Sequence, residues 1–395
     1  MAKLTRRTWA VVVAVIVIVA VIVALSAYYM APPPTPSTRE PIKLGTIGST
    51  TGVEAWIPRE GMKGLLIAVE EINEKGGING RPIRIVDYDD AGSPDQAVIC
   101  ARKLVYDDKV PITILNHGSE LALPTSRVFV EAKRPALSAW AGHPGQTEGG
   151  YVFLVSAASV IEGKALAYYV MKEKGAKTFA AVITVDPYEE KVYSGFKSMV
   201  ESLGGKIVYE KSVQWGEKEF TAMLTEIKAL NPDAIIGPND FTMSIPFVVQ
   251  ARALGIKSIL LHGVSSAVDE FAKDVKDVAD IGGGIYVYSR HRPDLPEAQQ
   301  LATIVLKRFG TPPLWPTYAV YDAVKIAAWA LEKAGEDPAK LVETLKELKD
   351  FKGTSGTIYK FSNNLPVKEV PICTVTKEGK LVLVTVIKDP SVIGE

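Results

Sequence analysis

Residues Gly64 to Asp90, GLLIAVEEINEKGGINGRPIRIVDYDD, hold the chain to a narrow set of folds. Met62, Leu65, Val69 and Ile72 recur at helical spacing and give one apolar face. Pro58 suits the first turn of that helix, and Gly76-Gly77 ends it. Asn79-Gly80 makes a tight turn into a strand, Ile83–Tyr88, that closes in acids. A helix returned so directly into a strand is the repeating unit of a parallel sheet covered on both faces.

The alternation runs on in both directions. Strand Ile42–Ile47 precedes the block. Ser93, an N-cap with Pro94 behind it, opens a helix over 95–106. Strand, helix and strand follow at 112–115, 123–132 and 136–139, and the pattern restarts after Tyr151. The second series places strands at 179–184, 206–210, 234–237, 258–261 and 285–288, with helices between them. The tail 356–387 reads as antiparallel strands. So long a series exceeds one core, and two α/β lobes, each a doubly wound parallel sheet, are expected. Open parallel sheets bind ligands beyond the carboxyl ends of their strands, so function is sought there.

The first residues carry a different signal. Trp9 to Ala27 are almost wholly Ala, Val and Ile, long enough to cross a hydrocarbon core of about 30 Å as a helix. Lys3, Arg6 and Arg7 precede that run and no charge follows before Arg39, which predicts a cytoplasmic N-terminus, 1–8, and an exported remainder. The expectation is one transmembrane anchor within 9–30, a Pro-rich linker at 31–41, and a single-pass protein of the cell membrane with its binding domain outside. A cleaved signal peptide is the alternative, although its apolar region should be shorter.

Forty-five basic residues balance 45 acidic ones, which argues against nucleic acid as the main partner. Cys100 and Cys373, far apart in sequence, read as buried free thiols. The acid pairs Glu70-Glu71 and Asp89-Asp90 read as a solvated helix face and a strand end, and no metal is expected.

Several blocks resemble one family. IKLGTIGSTTG, the Gly64–Asp90 block with SPDQAV after it, FTAMLTEIKALNPDAIIG, QARALGIK and PTYAVYDAVKIAAWAL are similar in order and spacing to the branched-chain amino-acid (Leu/Ile/Val) binding proteins of ABC importers. The resemblance spans 42–395 and implies a type I periplasmic-binding-protein fold with three hinge crossovers, near Ser156–Ser159, Tyr288–Arg290 and Thr354–Gly356. Lobe one would then be 42–157 plus 289–355, and lobe two 158–288 plus 356–395.

It also implies a site. Ser119 matches a serine that meets the ligand carboxylate. Trp140, Ala141 and Gly142 stand in a loop that in the relatives ends in threonine, so Gly142 keeps the backbone N–H and lacks the hydroxyl. Tyr188 matches a tyrosine that closes over the ligand, and Phe241 an aromatic after the fourth strand of lobe two. The acid that pairs with the ligand ammonium is replaced by Val264. Either Asp240 or Asp186 substitutes for it, or the solute has no ammonium. Trp56, Trp140 and Phe241 suggest a larger or more apolar solute than valine. The disulfide of the relatives would fall at Gly92 and Gly118 and is absent.

The resemblance implies a solute-binding protein that hands an amino-acid-like or carboxylate solute to an ABC permease. The alternatives are the ectodomain of a sensory system and a receptor for a non-amino organic or aromatic acid. An enzyme is not expected. The four histidines, His117, His143, His262 and His291, form no H-E-x-x-H pair, and no G-x-S-x-G, C-x-x-C or dinucleotide-binding glycine spacing occurs. No cofactor is expected.

Overall fold

The computed structural model describes residues 39–52 and 55–394. Strands β1 (Ile42–Gly48), β2 (Ile83–Asp89), β3 (Ile112–Asn116), β4 (Ala136–Ser138) and β5 (Val152–Leu154) form a parallel sheet in the order β2-β1-β3-β4-β5. The opening block folds as its sequence dictates: helix Trp56–Glu74 ends before Gly76 and Gly77, whose φ values of 96° and 75° only glycine adopts freely.

A second sheet begins with β6 (Thr178–Thr184), β7 (Lys206–Val213), β8 (Ala234–Ile236), β9 (Ile259–His262) and β10 (Ile285–Tyr288). Three short strands, β11 (Lys349–Gly353), β12 (Gly356–Ser362) and β13 (Leu365–Lys368), make a separate antiparallel sheet. Then β14 (Val370–Val375) and β15 (Leu381–Ile387) return to the second sheet, whose order is β15-β14-β10-β9-β8-β6-β7. Helices Ser159–Glu173 and Pro187–Ser202 pack backbone to backbone on it, because Gly163 faces Val192 and Gly195 faces Val160, where any Cβ would strike a carbonyl oxygen.

The chain passes between the two sheets three times. It leaves β5 for helix Ser159–Glu173 through residues 155–158. After β10 it runs through 289–295 into helix Pro296–Phe309, whose Ala298, Leu301 and Val305 pack with Ile67 and Tyr318 on the first lobe. The third passage lies at Glu369, between β13 and β14, rather than at Thr354–Gly356. Those residues form the turn between β11 and β12, with Gly353 paired to Gly356 and the Thr354 and Ser355 N–H groups donating to the Asp322 carboxylate at 2.8 and 2.9 Å. The small sheet belongs with the first lobe: Phe361 packs edge-on against Phe153, and Leu154 N donates to the Asn364 carbonyl at 3.0 Å.

The three passages are tied together. Buried Lys368 donates to the Val155 carbonyl (3.3 Å) and to Ser355 Oγ (2.6 Å), and burial pushes its ammonium down to about 8. Arg292 of the second passage pairs with Glu369 of the third, and with Asp294 at 2.7 Å.

Against the expectation of a transmembrane helix, of membrane attachment through it and of a single-pass protein, the described residues supply no such helix. Among the described residues no helix is long and apolar enough to cross a membrane. The two longest, Trp56–Glu74 and Trp315–Ala334, are interrupted by charge, such as Arg59, Lys63 and Glu70 in one and Asp322, Lys325 and Glu332 in the other. The segment 9–30 and the linker expected at 31–41, up to residue 38, lie outside the described residues. Cys100 and Cys373 are both buried free thiols.

Candidate functional site

Between the lobes lies a cavity of about 430 Å³, within the range of small-molecule sites. It opens where parallel strands end. From the first lobe come Ile57, Gly118–Glu120 after β3, Trp140 and Ala141 after β4, and Trp315 at the start of its helix. The second lobe supplies Asp186, Tyr188 and Glu189 after β6, Trp215 after β7, Asn239 and Asp240 after β8, and Val264 and Ser265 after β9. Arg290 reaches in from the second passage.

Arg290 is buried and heavily bonded. Its Nε and Nη2 grip the two oxygens of Glu162 at 2.5 and 2.8 Å, Nη2 also donates to Tyr188 Oη at 2.9 Å, and Nη1 donates to the Trp140 carbonyl. Burial opposes its charge, but the Glu162 carboxylate outweighs that and holds the guanidinium above its ordinary value. The rings of Tyr188 and Trp315 lie 5.1 and 5.4 Å from the guanidinium carbon. Trp315 packs edge-on against Trp140, and its own indole N–H is buried with no partner among the described residues.

Acids dominate the rest of the wall. Asp186 caps helix Pro187–Ser202, its Oδ1 accepting from Tyr188 N (2.7 Å) and Glu189 N (3.0 Å). Burial, against those two bonds and with the charge of Glu120 adding to it, pushes its carboxyl up to about 6. Glu189, buried, accepts from Thr184 N and Asn239 N at 2.9 and 2.8 Å; burial and then the charge of Asp186 push it up to about 8. Glu120 opens onto the cleft between packed walls, and the loss of water raises its carboxyl as well. Asp240 caps helix Phe241–Ala253 through Oδ1, which accepts from Thr242 N (2.9 Å) and Thr242 Oγ1 (2.5 Å).

Six residues expected from the sequence line the cavity: Ser119, Trp140, Ala141, Tyr188, Asp240 and Val264. Gly142, Phe241 and Trp56 do not. Gly142 sits behind the wall, where a Cβ would come within 3.0 Å of both Arg290 and the Tyr188 ring, and its carbonyl accepts from Ser159 N and Oγ at 2.8 and 3.0 Å. Trp56 and Phe241 meet edge to face across the lobes, with ring centroids 5.7 Å apart. Sequence reasoning missed Glu120, Glu189, Asn239, Trp215, Trp315 and Arg290. The charge of Arg290 in a hinge segment was the one signal for it.

The histidines serve the scaffold. His117 bonds buried Asp90 at 2.8 Å and Thr125 at 3.4 Å, an Asp-His-Thr chain wholly sealed in the core. Burial pushes His262 and His291 down to about 4, and neither lines the cavity.

A family model described as periplasmic binding protein matches residues 41–380. An amino acid binding protein of Pseudomonas aeruginosa is 28% identical over 77% of this chain and 82% of its own length. The leucine-specific-binding protein of Salmonella typhimurium is 27% identical over 77% and 83%. Among solved structures, the branched-chain amino acid transporter substrate binding protein of Streptococcus pneumoniae, in complex with isoleucine, superposes with a TM-score of 0.78 at 26% identity. That match covers 88% of this chain and all of the other.

Proposed function

The chain belongs to the periplasmic binding protein family, and from that membership we propose that its cleft holds both ends of an α-amino acid through the residues described above. It is an extracytoplasmic solute-binding protein of an ABC importer, capturing a small amino-acid-like solute between two lobes for a permease, and it is not an enzyme.

The carboxylate of the solute meets the Ser119 hydroxyl at the start of its helix and the backbone of Ala141, where the helix N-terminus favours negative charge. Arg290 stands beside this end with one Nη1 N–H beyond those it spends on Trp140, Glu162 and Tyr188. Asp240 takes the ammonium. The 239–240 and 264–265 loops are joined, Ser265 N donating to Asn239 Oδ1 at 3.3 Å, so Asp240 lies beside the position where the relatives carry their acid and this chain has Val264.

The observation that carries the reading is the polarity of the wall: four carboxyl groups, of which burial pushes Glu189 up to about 8, and a single, already paired guanidinium. That wall accepts a zwitterion and repels a carboxylate that brings no ammonium. The tryptophans favour an apolar or aromatic body, which keeps aromatic acids as the second reading. A thermal-shift screen of the full chain separates the two. Amino acids are expected to raise the melting temperature by mass action and their deaminated analogues are not. Shifts with aromatic or aliphatic acids alone would overturn the amino-acid reading.

A further inference from the structure

The charge inventory of the cleft does not close with a neutral amino acid. Among the described residues lining it, the only cation is Arg290, and Glu162 already neutralises it. Glu189 is buried and its two oxygens are taken by the backbone of Thr184 and Asn239. Asp240, on the reading above, takes the α-ammonium. Two carboxylates remain, Glu120 from the first lobe and Asp186 from the second. They stand at the starts of helices Ser119–Ala132 and Pro187–Ser202, which approach each other across the cleft.

Resting on the amino-acid reading, we propose that the solute is a basic amino acid or a close analogue, whose side-chain cation sits between Glu120 and Asp186 while its methylene stem lies along the aromatic wall. A leucine-like side chain would leave two carboxylates facing each other in a shrinking, drying cleft, which is the costliest way to bury charge. A cation between them turns that opposition into attraction across the lobes, so the same two groups that resist closure on a neutral solute would drive it on a basic one.

Three features support this. Asp186 lines the cavity, and both backbone bonds to it fall on Oδ1, which leaves Oδ2 outside them. Burial above all, with Glu120 adding, lifts the Asp186 carboxyl to about 6, as befits a carboxylate that no protein cation attends. The Tyr188, Trp140 and Trp315 rings suit an alkyl stem and a nearby cation alike.

Calorimetric titration of the full chain with lysine, arginine, leucine and norleucine tests the proposal. Norleucine has the carbon chain of lysine without its terminal nitrogen. Lysine or arginine is expected to bind at least about tenfold more tightly than norleucine. Asp186→Asn, which keeps a helix cap, and Glu120→Gln should each cut that ratio by about threefold or more, with norleucine bound no more weakly than by the parent protein. Equal or tighter binding of norleucine or leucine overturns the proposal while the amino-acid reading stands, as does a ratio unmoved in both variants. If no amino acid binds, the amino-acid reading fails and takes the proposal with it.

Discussion

Arg290 and Glu162 are joined by two hydrogen bonds, at 2.5 and 2.8 Å, with both side chains almost wholly buried. Glu162 lies in the first helix of the second lobe, while Arg290 also donates to the Trp140 carbonyl of the first. One guanidinium thus spans the two halves at the back of the cleft. Glu162→Gln leaves that cation without its counter-charge. Breaking such a pair costs roughly 3–5 kcal/mol, so denaturant unfolding should show a loss of that order. A loss below about 1 kcal/mol would mean that the pair is dispensable to the fold.

Asp240→Asn keeps a helix cap and removes a charge. If Asp240 holds the ammonium, calorimetry should show amino-acid affinity falling by about thirtyfold or more, with the melting temperature of the unliganded protein nearly unchanged. Unaltered affinity would transfer the role to another carboxylate.

Stability should depend on pH through Asp186. Its carboxyl is raised from about 3.8 to about 6 in the folded chain, so its favourable contribution is complete below about pH 3.8 and is lost as pH rises through about 6. Melting curves without solute should show Asp186→Asn gaining on the parent protein between pH 4 and about 7. A constant difference across that range would contradict the raised value.

Gly142→Thr would introduce the threonine that the family resemblance implies at this position. Here its Cβ would come within 3.0 Å of Arg290 and of the Tyr188 ring. Overpacking of this kind costs about 1–3 kcal/mol. The variant should therefore melt earlier and bind its solute no better; tighter binding would show that the loop has room for the hydroxyl.

Most of the fold was legible because its signals are local. Gly76-Gly77, Asn79-Gly80 and the Ser93 cap each fix a turn or helix end through a few neighbouring residues, and the structure places them as expected. The third passage was not. Gly356, with φ 103°, has the look of a hinge glycine but serves the turn of a small hairpin sheet, and only long-range packing of Phe361 on Phe153 decides that. The site divides the same way. Ser119, Ala141 and Asp240 follow strand ends, where position predicts role. Arg290 and Trp315 reach the cavity from a passage and from a helix of the later chain, and no motif marks either. Conversely, Phe241 and Trp56 sit near strand ends yet spend their rings on each other.

Lys368 bonds the Val155 carbonyl, and Arg292 pairs with Glu369. Three strands of rope lashed side by side flex as one pin. The three crossings are therefore bonded to one another, and a swing of one half against the other must carry these bonds along or break them.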